Sequence, residues 1–155
     1  MSAASPLQPA ATPSPALALA QAQPALLPQN VPAAGHHWLM DLSGCAGNRQ
    51  LLENAQALEA VLPAAARQAG MQVVGQVFHQ FAPTGVTGAV ILAESHVTIH
   101  TWPQEGFVAI DVYVCDFNQT NCSKGERLSQ ALMALFAPQV AQCRTVRRGA
   151  QAEQP

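Results

Sequence analysis

The chain has 155 residues, 49% hydrophobic and 10% charged, with a formal net charge of −2. That length holds one domain with a buried core and falls short of two. The sparse, slightly acidic charge provides no basic stripe to neutralise phosphates, which argues against nucleic acid. No apolar run approaches the ~20 residues that span a bilayer.

Residues 1–34 contain no Lys, Arg, Asp or Glu and carry seven of the 12 prolines. Repeated proline breaks helix and ladder alike, so this stretch is expected to be a disordered tail, as is 150–155. It has no basic lead-in to an apolar run, so no secretory signal is expected. The folded domain is expected over 35–149. Residues 37–42 read as a first strand. Asn48 suits the cap of a helix over 49–69, in which Leu51, Ala55, Leu58, Leu62, Ala65 and Ala69 share a face. Pro63 removes a hydrogen bond inside that pattern and predicts a kink or split there. Gly70 fits the residue just past the helix end.

Strands are predicted over 71–81, 88–94, 96–102 and 107–115, with 82–85 and 103–106 as turns. Residues 116–125 read as a polar loop, and 126–136 as a second amphipathic helix through Leu128, Ala131, Leu132 and Leu135. A last short strand is expected over 139–147. This order predicts an α+β fold, a two-layer sandwich with an antiparallel sheet and helices on one face. The apolar residues of the other face then need cover, which predicts a homodimer or higher assembly. The four cysteines, Cys45, Cys115, Cys122 and Cys143, form no CxxC pair and no regular framework. A reducing, cytoplasmic compartment is expected.

The densest chemistry lies in Ala93-Glu94-Ser95-His96-Val97-Thr98-Ile99-His100-Thr101-Trp102-Pro103. Val97, Ile99 and Thr101 alternate with His96, Thr98, His100 and Trp102, so period two puts the latter on one strand face. Ser95 has the opposite parity to His100, and cooperation between them requires a turn or bulge near Glu94-Ser95. Such a turn would also expose that peptide bond to attack. His96 and His100 have the spacing of a helical zinc pair, but on a β-branched run and without a following glutamate, so no metal is expected. The two glycines of a nucleophile elbow are missing around Ser95. A cysteine nucleophile built from Cys115, His100 and Asp111 is chemically allowed, although free cysteine is commonly a small buried hydrophobe. Along 107–115 the core set is Val108, Ile110, Val112 and Val114, which leaves Cys115 with Asp111 and Tyr113 on the opposite face.

Glu94-Ser95-His96, Thr98-Ile99-His100-Thr101-Trp102-Pro103, Ala109-Ile110-Asp111 and Cys115 resemble the prokaryotic S-adenosylmethionine decarboxylase proenzyme family. So do Phe78-His79-Gln80-Phe81-Ala82-Pro83 and Gly85-Val86-Thr87-Gly88, and the likeness runs from His36 to about Gly149. It implies a self-cleaving decarboxylase with a covalent pyruvoyl group and neither pyridoxal phosphate nor metal. The Ser95 hydroxyl would attack the Glu94 carbonyl and convert the amide to an ester. Loss of the Ser95 α-proton would then leave dehydroalanine, which hydrolyses to pyruvoyl. A β chain would end at Glu94 and an α chain would begin at the modified Ser95.

The resemblance also implies roles. His100 takes the α-proton with help from the Thr87 hydroxyl, Cys115 returns a proton to the substrate carbon, and Phe81 and Trp102 line the substrate site. Three positions depart from the family's usual pattern. Thr87 stands where serine is typical, which predicts slower cleavage, and Asp116 stands where glycine commonly follows the cysteine. Gln104 replaces a glutamate that accepts the ribose hydroxyls of a nucleoside substrate, and it lacks the charge that strengthens both bonds. Either Glu105 substitutes, or the substrate is not a nucleoside. The implied substrate is S-adenosylmethionine, whose product is an aminopropyl donor for spermidine. The alternatives are a pyruvoyl-dependent decarboxylase of ornithine or arginine, and an uncut partner subunit.

Overall fold

The computed structural model describes residues 34–45, 47–116 and 120–149. Apart from Ala34, the tails expected over 1–34 and 150–155 therefore lie outside the described residues. The described residues form six strands: β1 (Gly35–Ser43), β2 (Val73–Gln80), β3 (Val86–Leu92), β4 (Ser95–Trp102), β5 (Phe107–Cys115) and β6 (Val140–Arg148). They make one sheet in the order β2-β3-β4-β5-β1-β6, and every neighbouring pair is antiparallel. Helices α1 (Arg49–Glu53), α2 (Ala55–Gln68) and α3 (Asn121–Phe136) cover one face. The α+β sandwich expected from the sequence is the fold found.

The core lies between these layers. Met40, Leu42, Val90, Val97, Ile99, Val108, Ile110, Val112 and Val114 meet Leu52, Leu58, Leu62, Leu128, Leu132 and Phe136, all essentially excluded from water. Burial of such side chains is worth roughly 1.5–3 kcal/mol each. Thr101 is the polar member of the β4 core face. Its Oγ1 donates to the Leu52 carbonyl at 2.7 Å and accepts from the Val86 N–H at 2.8 Å, pinning α1 and β3 to β4. Thr101→Val should cost about 1–3 kcal/mol, because it strands a buried donor and a buried acceptor. The urea midpoint should fall while the m-value stays unchanged.

Two local expectations are corrected. The helix predicted over 49–69 does break, but at Asn54 rather than Pro63. Asn54 is extended (φ −129°, ψ 113°), and its side chain accepts from the Ala57 N–H to start α2. Pro63 lies inside α2. The Glu59 carbonyl, which proline leaves without its helical partner, accepts from the Gln76 side chain at 3.4 Å, so tertiary contact offsets the loss. The polar loop expected over 116–125 is also shorter. The Asp116 carboxylate accepts from the Asn121 N–H at 2.9 Å and starts α3 there. Gly125 is then a helical residue pressed against Trp38, where an added Cβ would sit 2.4 Å from the indole. Close packing takes precedence over the low helix propensity of glycine.

The sheet face away from the helices carries Val77, Ile91, Trp102, Val140 and Val146, each 43–64% exposed. It also carries the polar row of His96, Thr98 and His100 on β4 with Asp111 and Tyr113 on β5. No helix among the described residues is long and apolar enough to cross a membrane.

Candidate active site

The β3–β4 hairpin turns through Ala93 and Glu94, with Leu92 paired to Ser95. Three contacts hold the turn. The Ala93 N–H donates to the Gln72 carbonyl at 2.8 Å, and the Glu94 carboxylate accepts from the Gln72 N–H at 3.2 Å. The Glu94 main-chain carbonyl accepts from the Cys115 N–H at 2.9 Å. That last bond follows from the register, which sets Ser95 opposite Val114. Ser95 is half-buried at φ 157°, and its Oγ lies 3.0 Å from His96 Nδ1. A hydroxyl, a polarised carbonyl and an imidazole nitrogen thus share one tight turn.

Cys115 is half-buried beside this turn. Its Sγ lies 3.7 Å from the Tyr113 hydroxyl, in a thiol–phenol hydrogen bond, and the Arg148 guanidinium stands 4.8 Å from the centre of the Tyr113 ring. The hydrogen bond with Cys115, then burial, push the Tyr113 hydroxyl above its ordinary pKa, so the phenol stays protonated.

The remaining predicted residues gather at the other end of β4. Thr87 Oγ1 and His100 Nδ1 are 2.8 Å apart across the β3–β4 ladder. His100, Phe81, Trp102 and Gln104 line one cleft of about 310 Å³ with Thr101 and Pro103. The Gln80 side chain donates to the Gly85 carbonyl at 2.8 Å, bracing the loop that presents Phe81. Glu105 is exposed in the neighbouring turn and does not line the cleft.

The predicted site is therefore two half-sites. Glu94, Ser95 and Cys115 meet at one end of β4, while Thr87, His100, Phe81, Trp102 and Gln104 meet at the other. His100 lies five positions along the strand from Ser95, about 17 Å at the usual rise. The turn leaves Glu94 and Ser95 half-buried and does not bring His100 of the same chain to them. The Cys115–His100–Asp111 arrangement does not form either. His100 pairs with Ala109, and Asp111 accepts from Thr98 at 3.0 Å while facing His37 at 3.6 Å. Burial holds the His37 pKa down, against the upward pull of Asp111. The sequence reading missed the Ser95–His96 contact, the Cys115 main-chain donor and Tyr113. Adjacency hinted at the first, whereas the other two depend on register and rotamer.

Residues 36–149 match the sequence profile of the family described as S-adenosylmethionine decarboxylase. A Pyrococcus horikoshii protein named S-adenosylmethionine decarboxylase proenzyme is 34% identical over 119 residues, 77% of this chain and 81% of that protein. A Thermotoga maritima protein of the same name is 39% identical over 100 residues, 64% and 75% of the two chains. The fold agrees with a crystal structure of the adenosylmethionine decarboxylase from Aquifex aeolicus at a TM-score of 0.69 and 30% identity, covering 80% of this chain and 98% of that one. The resemblance carried by Glu94-Ser95-His96 and the strands around it thus extends across the folded domain, and the chain belongs to the S-adenosylmethionine decarboxylase family.

Proposed function

We propose that this chain is a self-processing decarboxylase of S-adenosylmethionine, cut between Glu94 and Ser95 and carrying a pyruvoyl group made from Ser95. The observation that carries this reading is the Glu94 carbonyl, held by the Cys115 N–H at 2.9 Å next to the Ser95 hydroxyl. A donor on the carbonyl oxygen stabilises charge that develops when a neighbouring hydroxyl attacks. The name proenzyme borne by the relatives points the same way. The residues present fit a pyruvoyl group, since the hydroxyl it derives from, the peptide to be cut and a thiol lie together. Such a group supplies a carbonyl that condenses with a substrate α-amine and an electron sink for the electrons released with CO₂.

The chain's own residues supply the rest. Cys115, with its proton shared toward Tyr113, is the donor that returns a proton to the substrate carbon. Phe81 and Trp102 offer flat apolar faces at a cleft where Gln104 contributes an amide, a set suited to a nucleoside. Because His100 and Thr87 lie a strand's length from Ser95, they serve it from a second copy. The uncovered apolar sheet face supports such a homodimer. The product would be the aminopropyl donor for spermidine, and four free cysteines suit a reducing cytoplasm.

Gln104 is the one feature that favours a second reading, decarboxylation of ornithine or arginine. Intact mass of the purified protein should give two chains divided at Glu94–Ser95, the second blocked by pyruvoyl. That preparation should release CO₂ from S-adenosylmethionine, and Gln104→Glu should lower KM about 10-fold by restoring charge toward the ribose hydroxyls. Release from ornithine or arginine instead would select the second reading. A single uncut chain would defeat both and leave a partner-subunit role.

A further inference from the structure

The self-processing reading leaves the first proton transfer unassigned within the chain. Ser95 must lose its hydroxyl proton as Oγ attacks the Glu94 carbonyl. His100 of the same chain lies about 17 Å along the strand, and His100 serving from a second copy has its Nδ1 engaged by Thr87 at 2.8 Å. His96, by contrast, presents Nδ1 to Ser95 Oγ at 3.0 Å. Its ring is set edge-on against Tyr113, with centroids 5.8 Å apart at 62°, and it lies between Ile91 and Tyr113 in the ladder. Packing from both neighbouring strands limits the imidazole's freedom, which favours a productive orientation.

We infer that His96 is the general base for the first step of processing, the shift of the Glu94 acyl group from the Ser95 nitrogen to the Ser95 oxygen. This inference rests on the self-processing reading above. In the tautomer with its proton on Nε2, His96 Nδ1 accepts the Ser95 hydroxyl proton while Oγ bonds to the Glu94 carbonyl carbon. The carbonyl electron pair moves onto oxygen, where the Cys115 N–H stabilises it. On collapse the carbon–nitrogen bond breaks, and the imidazolium returns its proton to the departing Ser95 amine. No oxidant, reductant or net proton is required. The two histidines then divide the work: His96 makes the ester, and His100 takes the α-proton in the elimination that follows.

The test uses full-length protein, with cleavage followed by intact mass with and without hydroxylamine, which cuts esters and spares amides. His96→Phe keeps a ring against Tyr113 without a nitrogen. His96→Asn is the deciding variant, because its amide can still hold the Ser95 hydroxyl but cannot take its proton. Both should process about 10²–10⁴-fold more slowly than the parent chain. Both should remain insensitive to hydroxylamine, whereas His100→Ala should accumulate a hydroxylamine-cleavable ester. Added imidazole should speed His96→Asn. Near-parental cleavage of His96→Asn would overturn the inference and reduce His96 to a holding role. Ester accumulation in that variant would overturn it too, by moving His96 to the elimination. A parent chain that never cleaves would instead defeat the self-processing reading on which the inference stands.

Discussion

Ser95→Ala should yield one uncut chain of 16.3 kDa and a decarboxylation rate lower by about 10⁶-fold or more, the scale separating enzymes from uncatalysed reactions. On the proposed reading, the single oxygen removed is both the nucleophile of processing and the precursor of the electron sink. Pairing and packing cannot replace either role. The fold should survive, because the Ser95 hydroxyl is half-buried and its side-chain bond is the one to its neighbour His96. A lost bond of that kind costs about 0.5–1.5 kcal/mol. A melting curve within a few degrees of the parent, beside a full-length mass and no CO₂ release, is the expected pattern. Cleavage or turnover by Ser95→Ala would place the reaction elsewhere in the chain.

Cys115→Ala should separate the two activities. The contribution of Cys115 to the Glu94 carbonyl is its main-chain N–H, which alanine retains, so cleavage at Glu94–Ser95 should continue within about threefold. The thiol is lost, and with it the proposed proton donor, so kcat for decarboxylation should fall about 10²–10⁴-fold with little change in KM. The Tyr113 hydroxyl would lose its partner at 3.7 Å, but its pKa lies too far above neutrality to replace a thiol efficiently. If Cys115→Ala failed to process, the sulfur rather than the backbone would be the group acting on the turn.

Both expectations depend on a register that local pattern does not encode. The alternation of Val97, Ile99 and Thr101 with His96, Thr98 and His100 was legible in the sequence, and so was the core row Val108, Ile110, Val112 and Val114. Each reflects the period of an extended backbone, a property of neighbours along the chain. The helical face of Leu58, Leu62 and Ala65 was legible for the same reason, whereas Leu51 falls in the separate helix α1. The order of elements then sufficed for the α+β sandwich, and the motifs around Ser95 for the family.

Where Pro63 sits could be read, but its consequence could not, because the Glu59 carbonyl it leaves free is met by Gln76 from another element. The start of α3 likewise depended on the Asp116 carboxylate accepting from the Asn121 N–H five residues on, and the helical Gly125 on Trp38 filling the space a Cβ would need. The site followed the same division. Sequence named Ser95, His100 and Cys115, and parity already separated the first two by face. Tertiary structure alone set Cys115, twenty positions on, beside the Glu94 carbonyl, and kept neighbouring His100 a strand's length from Ser95. Periodicity is local and survives in the sequence. Register is decided by turns and by core packing between distant segments, and it determines which reactive groups meet.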